Sequence, residues 1–136
     1  MASLKPEVGL VIRYDFLFKE DRDRGYQSGK DRPNSIVVSA RIQGHGDQRN
    51  LVVPITHTPP LHASEGIEVP LKIAHHLGLD DRQMWVKVND MNSFTWEKGR
   101  IPHGVTAVSH DRQAYGVLPS KFFDLIKAAV LARAKN

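Results

Sequence analysis

The alternation of apolar and polar positions predicts a first strand over residues 8–16. One side of this strand carries Leu10, Ile12, Tyr14 and Phe16. A β-branched stretch at 35–42 predicts a second, buried strand. Residues 50–56 return after a turn at 44–47, so the two stretches are expected to form a hairpin. The segment between the first two strands, 19–34, is strongly charged and is predicted to be a long exposed loop.

Three further short strands are predicted at 67–69, 84–88 and 94–96. A short helix over 70–77 separates the first two of them, with Pro70 in its first turn and Gly78 as its stop. The C-terminus is predicted to be a helix from residue 119 or 120, since its apolar residues recur at helical spacing. These residues are Phe122, Leu125, Ile126, Ala129 and Val130.

Short, closely spaced strands with one terminal helix predict a single, mainly β domain over residues 1–136, arranged as a small half-open barrel with a C-terminal helix and a short inserted helix. A parallel sheet would need helices between successive strands. One shared core is expected to contain Ile36, Val38, Val52, Ile55, Val86, Phe122 and Ile126.

Composition narrows the possible functions. The 136 residues are 40% hydrophobic and 25% charged, which is typical of a globular domain, and the net charge of +4 permits a nucleic-acid or acidic partner. The chain lacks cysteine, an apolar run of about 18 residues and a secretory signal, so we expect a cytoplasmic protein without membrane association. We expect no metal and no cofactor, because the seven histidines show no HExxH spacing and no phosphate-binding glycine loop is present.

Candidate chemistry lies at the ends of the predicted strands. Arg32, followed by Pro33, stands at the entrance of the second strand, where its planar guanidinium could bind a phosphate. Thr56 and His57 end the return strand, and the hairpin brings them near Arg32. Asp90 and Asn92 follow the 84–88 strand. Their side chains are expected either to contact a ligand or to cap a turn.

The segments Gly29-Lys30-Asp31-Arg32-Pro33 and Val52-Val53-Pro54-Ile55-Thr56, in this order after Gly9-Leu10-Val11-Ile12, resemble the PemK/MazF growth-inhibitor toxins. The resemblance extends over roughly residues 8–132 and implies an SH3-like barrel that forms a homodimer. It further implies a metal-independent endoribonuclease that cleaves single-stranded RNA by 2′-hydroxyl attack. The implied partner is an antitoxin with a disordered acidic or apolar tail.

The resemblance also assigns roles to residues. Arg32 and Thr56 match the family's catalytic Arg and Thr, and His57 is expected to act as a base. The expected substrate-binding residues are Lys30, Asp90, Asn92 and Ser93.

The sequence departs from the family pattern in four places. The usual acid of the first strand is missing at Gly9-Leu10, and the segment 89–96 is shortened and loses a basic residue that helps to hold RNA. The loop between the first two strands is longer and more acidic than usual, and the insertion at 57–80 is larger. These departures leave two alternatives: a non-catalytic barrel that binds nucleic acid or a peptide, and, ranked last, a metal-dependent hydrolase that uses the loop histidines.

Overall fold

The computed structural model describes residues 4–25, 29–44 and 46–134, without the side chains of residues 20 and 134. The strands in this part of the chain are β1 (Leu10–Phe16), β2 (Lys30–Arg41), β3 (Gln48–Thr56), β4 (Gly66–Glu68), β5 (Trp85–Lys87), β6 (Asn92–Trp96), β7 (Val105–Thr106) and β8 (Gly116–Val117). The α-helices are α1 (Lys19–Asp23), α2 (Leu71–His76) and α3 (Ser120–Ala134). A single 3₁₀ turn, Ala63–Glu65, precedes β4.

The strands form an antiparallel sheet in the order β4-β5-β3-β2-β1-β7, and β6 and β8 add to β3 and β1. The prediction of a mainly β fold is therefore confirmed. The β2–β3 hairpin is the centre of the sheet, with Asn34 opposite Pro54 and Ile36 opposite Val52. Within the described ranges, no helix has both the length and the apolar character of a membrane span.

The sheet separates two hydrophobic cores, because successive strand residues lie on opposite sides. Val11, Val53, Ile55 and Val86 join α2 and α3 in one core, and the Phe122 and Ile126 side chains of α3 are buried there. The other core contains Leu10, Ile12, Phe16, Ile36, Val52 and Trp96. The helix therefore packs on the sheet as expected.

The prediction of one shared core is wrong for three residues. Ile36 and Val52 belong to the core on the far side of the sheet from α3. Val38 is 38% exposed, because a register shift between Ile36 and Val38 inserts one residue and interrupts the alternation. The terminal helix also leaves Leu125 59% exposed, outside the buried stripe.

The prediction of a loop over 19–34 is wrong at both ends. Residues 19–23 form α1, and β2 begins at Lys30, where it pairs with Phe16 of β1. Strand pairing with β1 satisfies the backbone of this charged segment, although its side chains stay partly exposed. Residues 26–28 of the predicted loop lie outside the described residues.

Candidate functional site

The Arg32 side chain lies against an aromatic ring and has no counterion among the described residues. Its guanidinium carbon is 4.6 Å from the centroid of the Phe18 ring, a distance typical of a cation–π contact. Its Nε atom is buried and has no hydrogen-bond partner. The adjacent carboxylate, Asp31, pairs with Arg13 at 3.5 Å. Among the residues described, no carboxylate forms an ion pair with Arg32, so its charge is available to an anionic ligand.

Lys87 of β5 adds a second positive charge beside the same ring. Its Nζ atom is 4.9 Å from the Phe18 ring centroid. As for Arg32, no ion pair forms between Lys87 and any described carboxylate. Two unpaired cations around one ring create a positive potential that attracts anions.

The Thr56 hydroxyl is positioned by a backbone amide two residues further along the chain. Thr56 is the last residue of β3 and is 6% exposed. Its Oγ1 atom accepts a hydrogen bond of 3.1 Å from the Thr58 amide, which fixes the side chain at the strand end. Since the oxygen is the acceptor in this bond, the hydroxyl hydrogen can still be donated to a ligand.

Arg32 and Thr56 line two adjoining cavities. The first, here called the His57 cavity, has a volume of about 350 Å³ and is lined by Asp31, Arg32, Pro33, Ile55, Thr56, His57, Gly78, Leu79, Asp80, Met84 and Tyr115. The second, the Trp85 cavity, has a volume of about 400 Å³ and is lined by Phe18, Asp21, Arg32, Thr56, Thr58, Pro59, Pro60, Leu61, Glu65, Gly66, Trp85, Lys87 and Asn89. Arg32 and Thr56 therefore stand at the boundary between them.

Both ring nitrogens of His57 have partners. Nε2 is 3.0 Å from Asp80 Oδ1, and Nδ1 is 3.2 Å from Arg82 Nη2. A carboxylate only accepts hydrogen bonds and a guanidinium only donates them, so the neutral ring carries its proton on Nε2. Nδ1 is then the proton-accepting nitrogen, and the exposed Arg82 side chain covers it.

Asp80 is held as a carboxylate by this cluster. Desolvation is the largest single influence and acts to raise the pKa of Asp80, but the hydrogen bond from the Arg82 amide and the contacts with the His57 and Arg82 side chains together lower it. Tyr115 also lines the His57 cavity, and burial raises the pKa of its hydroxyl. Tyr115 therefore keeps its proton at neutral pH and can donate a hydrogen bond into the cavity.

The predicted residues Asp90 and Asn92 hold the segment that carries Phe18. Asn92 Oδ1 accepts from the Leu17 amide and its Nδ2 donates to the Leu17 carbonyl, both at 3.1 Å. Asp90 Oδ2 accepts from the Lys19 amide at 2.8 Å, and Oδ1 lies 3.6 Å from Arg22. Neither residue lines the two cavities.

The other two predicted substrate contacts also lie away from the cavities. Lys30 is exposed at the start of β2, and Ser93 on β6 accepts a hydrogen bond of 3.0 Å from Arg49. Thus the structure brings together Arg32, Thr56 and His57, and separates them from the remaining four predicted residues.

Sequence reasoning did not find Phe18, Trp85, Lys87, Asp80 or Tyr115. Asp80 begins a turn in which its Oδ1 accepts from the Arg82 amide, and an acidic residue after Gly78 is a recognisable signal for such a turn. The others occupy ordinary core, strand and loop positions, where residue type alone carries no sign of a site.

The described residues contain no group of three or more His, Asp or Glu side chains that could hold a metal ion. Comparison of the chain with family models, with curated proteins and with solved structures finds no match. The functional argument therefore depends on the site itself.

Proposed function

We propose that this chain is a metal-independent endoribonuclease of the PemK/MazF type that cleaves single-stranded RNA in the cytoplasm. The observation that supports the proposal is the Arg32 guanidinium, which has no counterion among the described residues and lines the same two cavities as Thr56. An unpaired guanidinium and a hydroxyl donor that line one cavity are suited to a phosphodiester, whose oxygens only accept hydrogen bonds. The antiparallel sheet with its terminal helix is compatible with the proposed SH3-like barrel.

In the proposed reaction the substrate supplies its own nucleophile. The ribose 2′-oxygen attacks the adjacent phosphorus, the bond from phosphorus to the 5′-oxygen breaks, and the products are a 2′,3′-cyclic phosphate and a 5′-hydroxyl. Arg32 and Thr56 stabilise the charge that develops on the phosphoryl oxygens. The 2′-hydroxyl proton passes to His57 Nδ1 once Arg82 swings away, and the leaving 5′-oxygen takes a proton from water.

The test is incubation of the purified chain with single-stranded RNA in excess chelator, followed by analysis of the new ends. We expect 2′,3′-cyclic phosphate and 5′-hydroxyl ends, and no cleavage when the nucleotide before the cut is 2′-deoxy. Cleavage of an all-DNA strand, or a requirement for added Mg²⁺, would contradict the mechanism.

A second candidate is a non-catalytic module that binds nucleic acid at the same residues. The occupancy of both His57 nitrogens favours it, because neither nitrogen is free to take a proton while Asp80 and Arg82 stay in place. Binding of single-stranded RNA without cleavage at any pH between about 6 and 9 would establish this alternative.

The proposed partners follow from the same resemblance. We expect a homodimer and an antitoxin whose disordered tail occupies the RNA groove. Light scattering should give the mass of two chains, and a mass of one chain at high concentration would contradict the dimer. Growth arrest on expression, relieved by a co-expressed antitoxin, would support the toxin assignment, whereas unimpaired growth with intact protein would oppose it.

A further inference from the structure

The Trp85 cavity combines flat apolar walls with two cations, Arg32 and Lys87, and two carboxylates, Asp21 and Glu65, of which Glu65 accepts hydrogen bonds from the His62 amide and the Asn89 side chain. Trp85 is half-buried, and Phe18, Pro59 and Pro60 complete the apolar lining. Arg32 and Lys87 bring their charges to the Phe18 ring inside this lining. Planar walls and cations together are the features with which proteins bind single-stranded nucleic acids, by stacking on bases and neutralising phosphates.

The rim of the cavity carries an apolar side chain that nothing covers. Leu61 is 91% exposed, which is the highest value among the large hydrophobic residues of the described chain. It follows directly on Pro60, so a planar ligand in the cavity would contact Leu61 and remove it from water. The cavity volume of about 400 Å³ is within the range of small-ligand sites.

The position of Arg32 connects this cavity to the proposed reaction. Because Arg32 and Thr56 belong to both cavities, a phosphate bound there would place its neighbouring nucleoside at the mouth of the Trp85 cavity. We infer that the Trp85 cavity binds one nucleobase of a single-stranded nucleic acid, stacked on Trp85, while Arg32 and Lys87 contact the flanking phosphates. The RNA identity of this ligand rests on the proposed function, whereas the base site itself does not require cleavage.

The test compares two fluorescently labelled strands that the proposed mechanism cannot cut. One is a 2′-deoxy single strand of mixed sequence, and the other is an abasic strand of the same length and charge. We expect the base-bearing strand to bind at least about tenfold more tightly, since stacking on an aromatic side chain contributes an effect of this size or larger. Equal affinity for the two strands, or no binding of either, would overturn the inference. Equal affinity would show that the backbone alone binds, and no binding would leave a peptide as the occupant.

Variants locate the site. Trp85→Leu should reduce the preference for the base-bearing strand about tenfold, and Trp85→Phe should retain most of it because the ring is preserved. Arg32→Gln should weaken the binding of both strands by the same factor, since it removes a phosphate contact. Lys127→Gln on α3 also removes one positive charge but lies outside both cavities. It should change neither the affinity for the two strands nor the preference for the base-bearing strand.

Fluorescence gives a local readout on the same complexes. Trp96 is 3% exposed, so quenching by a bound base should report on Trp85 and disappear in Trp85→Phe. Quenching that persists in this variant, or a Trp85→Leu variant that keeps its preference for bases, would place the base elsewhere. If the wild type shows the preference and the quenching but cuts no RNA, the base site stands and the nuclease proposal fails.

Discussion

Two polar clusters of this protein contain the residue types of a ligand site, and they differ in how completely the fold satisfies them. Asp90 and Asn92 are bound to the backbone and side chains of residues 17–22. Arg32 has a buried Nε without a partner and a guanidinium without a counterion among the described side chains. A buried polar group without a partner costs free energy, which an acceptor atom of a ligand bound beside Arg32 would offset, whereas the satisfied cluster has a structural role.

The two clusters are connected through Phe18. Asn92 binds Leu17 and Asp90 binds Lys19, so they fix the backbone on both sides of the ring that supports Arg32. The satisfied cluster therefore positions the unsatisfied one. The comparison teaches that a polar residue outside the cavities can contribute to the site by holding the support of a residue inside it.

The largest expected effect is on the cleavage rate and comes from a substitution in the unsatisfied cluster. Under the proposed mechanism, Arg32→Ala should lower the cleavage rate by about 10²–10³, since it removes the charge that stabilises the phosphoryl oxygens. Its melting temperature should stay close to that of the wild type, because Arg32 makes no ion pair with a described residue. Single-turnover cleavage and thermal unfolding measure the two quantities. Full activity in this variant would remove Arg32 from the mechanism.

The second prediction tests whether His57 belongs to the reacting groups. His57→Ala should lower the rate by about 100-fold, the lower end of the range for a general base, because the imidazole is exposed and water can partly replace it. His75→Ala is the matched control, since His75 also pairs with an aspartate, Asp81, but lies outside both cavities. An equal effect of the two substitutions would show that His57 has no specific role.

The third prediction concerns how much the satisfied cluster of Asp90 and Asn92 contributes to the free energy of unfolding. Asp90→Ala removes the acceptor of the Lys19 amide and the ion-pair partner of Arg22, and should destabilise the protein by about 1–3 kcal/mol. Ser93→Ala on the neighbouring strand should cost less than about 0.5 kcal/mol, because its bond to Arg49 is exposed. Denaturant unfolding gives both values. Cleavage by Asp90→Ala should fall less than in Arg32→Ala, since Phe18 shifts but the guanidinium remains.

The sequence predicted the parts of this arrangement that depend on local pattern. The hairpin and the placement of Arg32 near Thr56 follow from alternation and one turn, and the structure has Asn34 opposite Pro54 in the same hairpin. The partners of Asp90 and Asn92 lie 71 and 75 positions away, so no local pattern distinguishes their structural bonds from ligand contacts. The exposure of Val38 depends on a bulge, which the β-branched sequence does not reveal.

The Trp85 cavity was not predictable for a similar reason. Its walls come from β1–α1, the 57–61 loop and β5, which only the tertiary fold brings together. Trp85 and Lys87 alternate with a buried valine, Val86, as in any half-buried strand. The sequence therefore indicates the catalytic candidates but not the surface that surrounds them.

The smallest expected effect concerns the exposed cluster around His57. The pKa of Asp80 is lowered in the folded chain: desolvation, the largest single influence, raises it, but the Arg82 amide bond and the contacts with His57 and Arg82 together outweigh desolvation. A carboxylate with a lowered folded-state pKa contributes stability above its unfolded-state pKa, and this contribution is lost as the pH falls through the folded-state value. The Asp80 side chain is 47% exposed, so solvent screens its attraction to His57 and Arg82. The contribution of Asp80 to the free energy of unfolding should therefore be at most about 1 kcal/mol. Melting curves of wild type and Asp80→Asn should therefore differ slightly at neutral pH, converge as the pH falls through the lowered pKa of Asp80 and differ less in high salt. Asp124→Asn, an exposed carboxylate of α3, provides the control, and a difference between wild type and Asp80→Asn that grows on acidification would contradict the assigned role of Asp80.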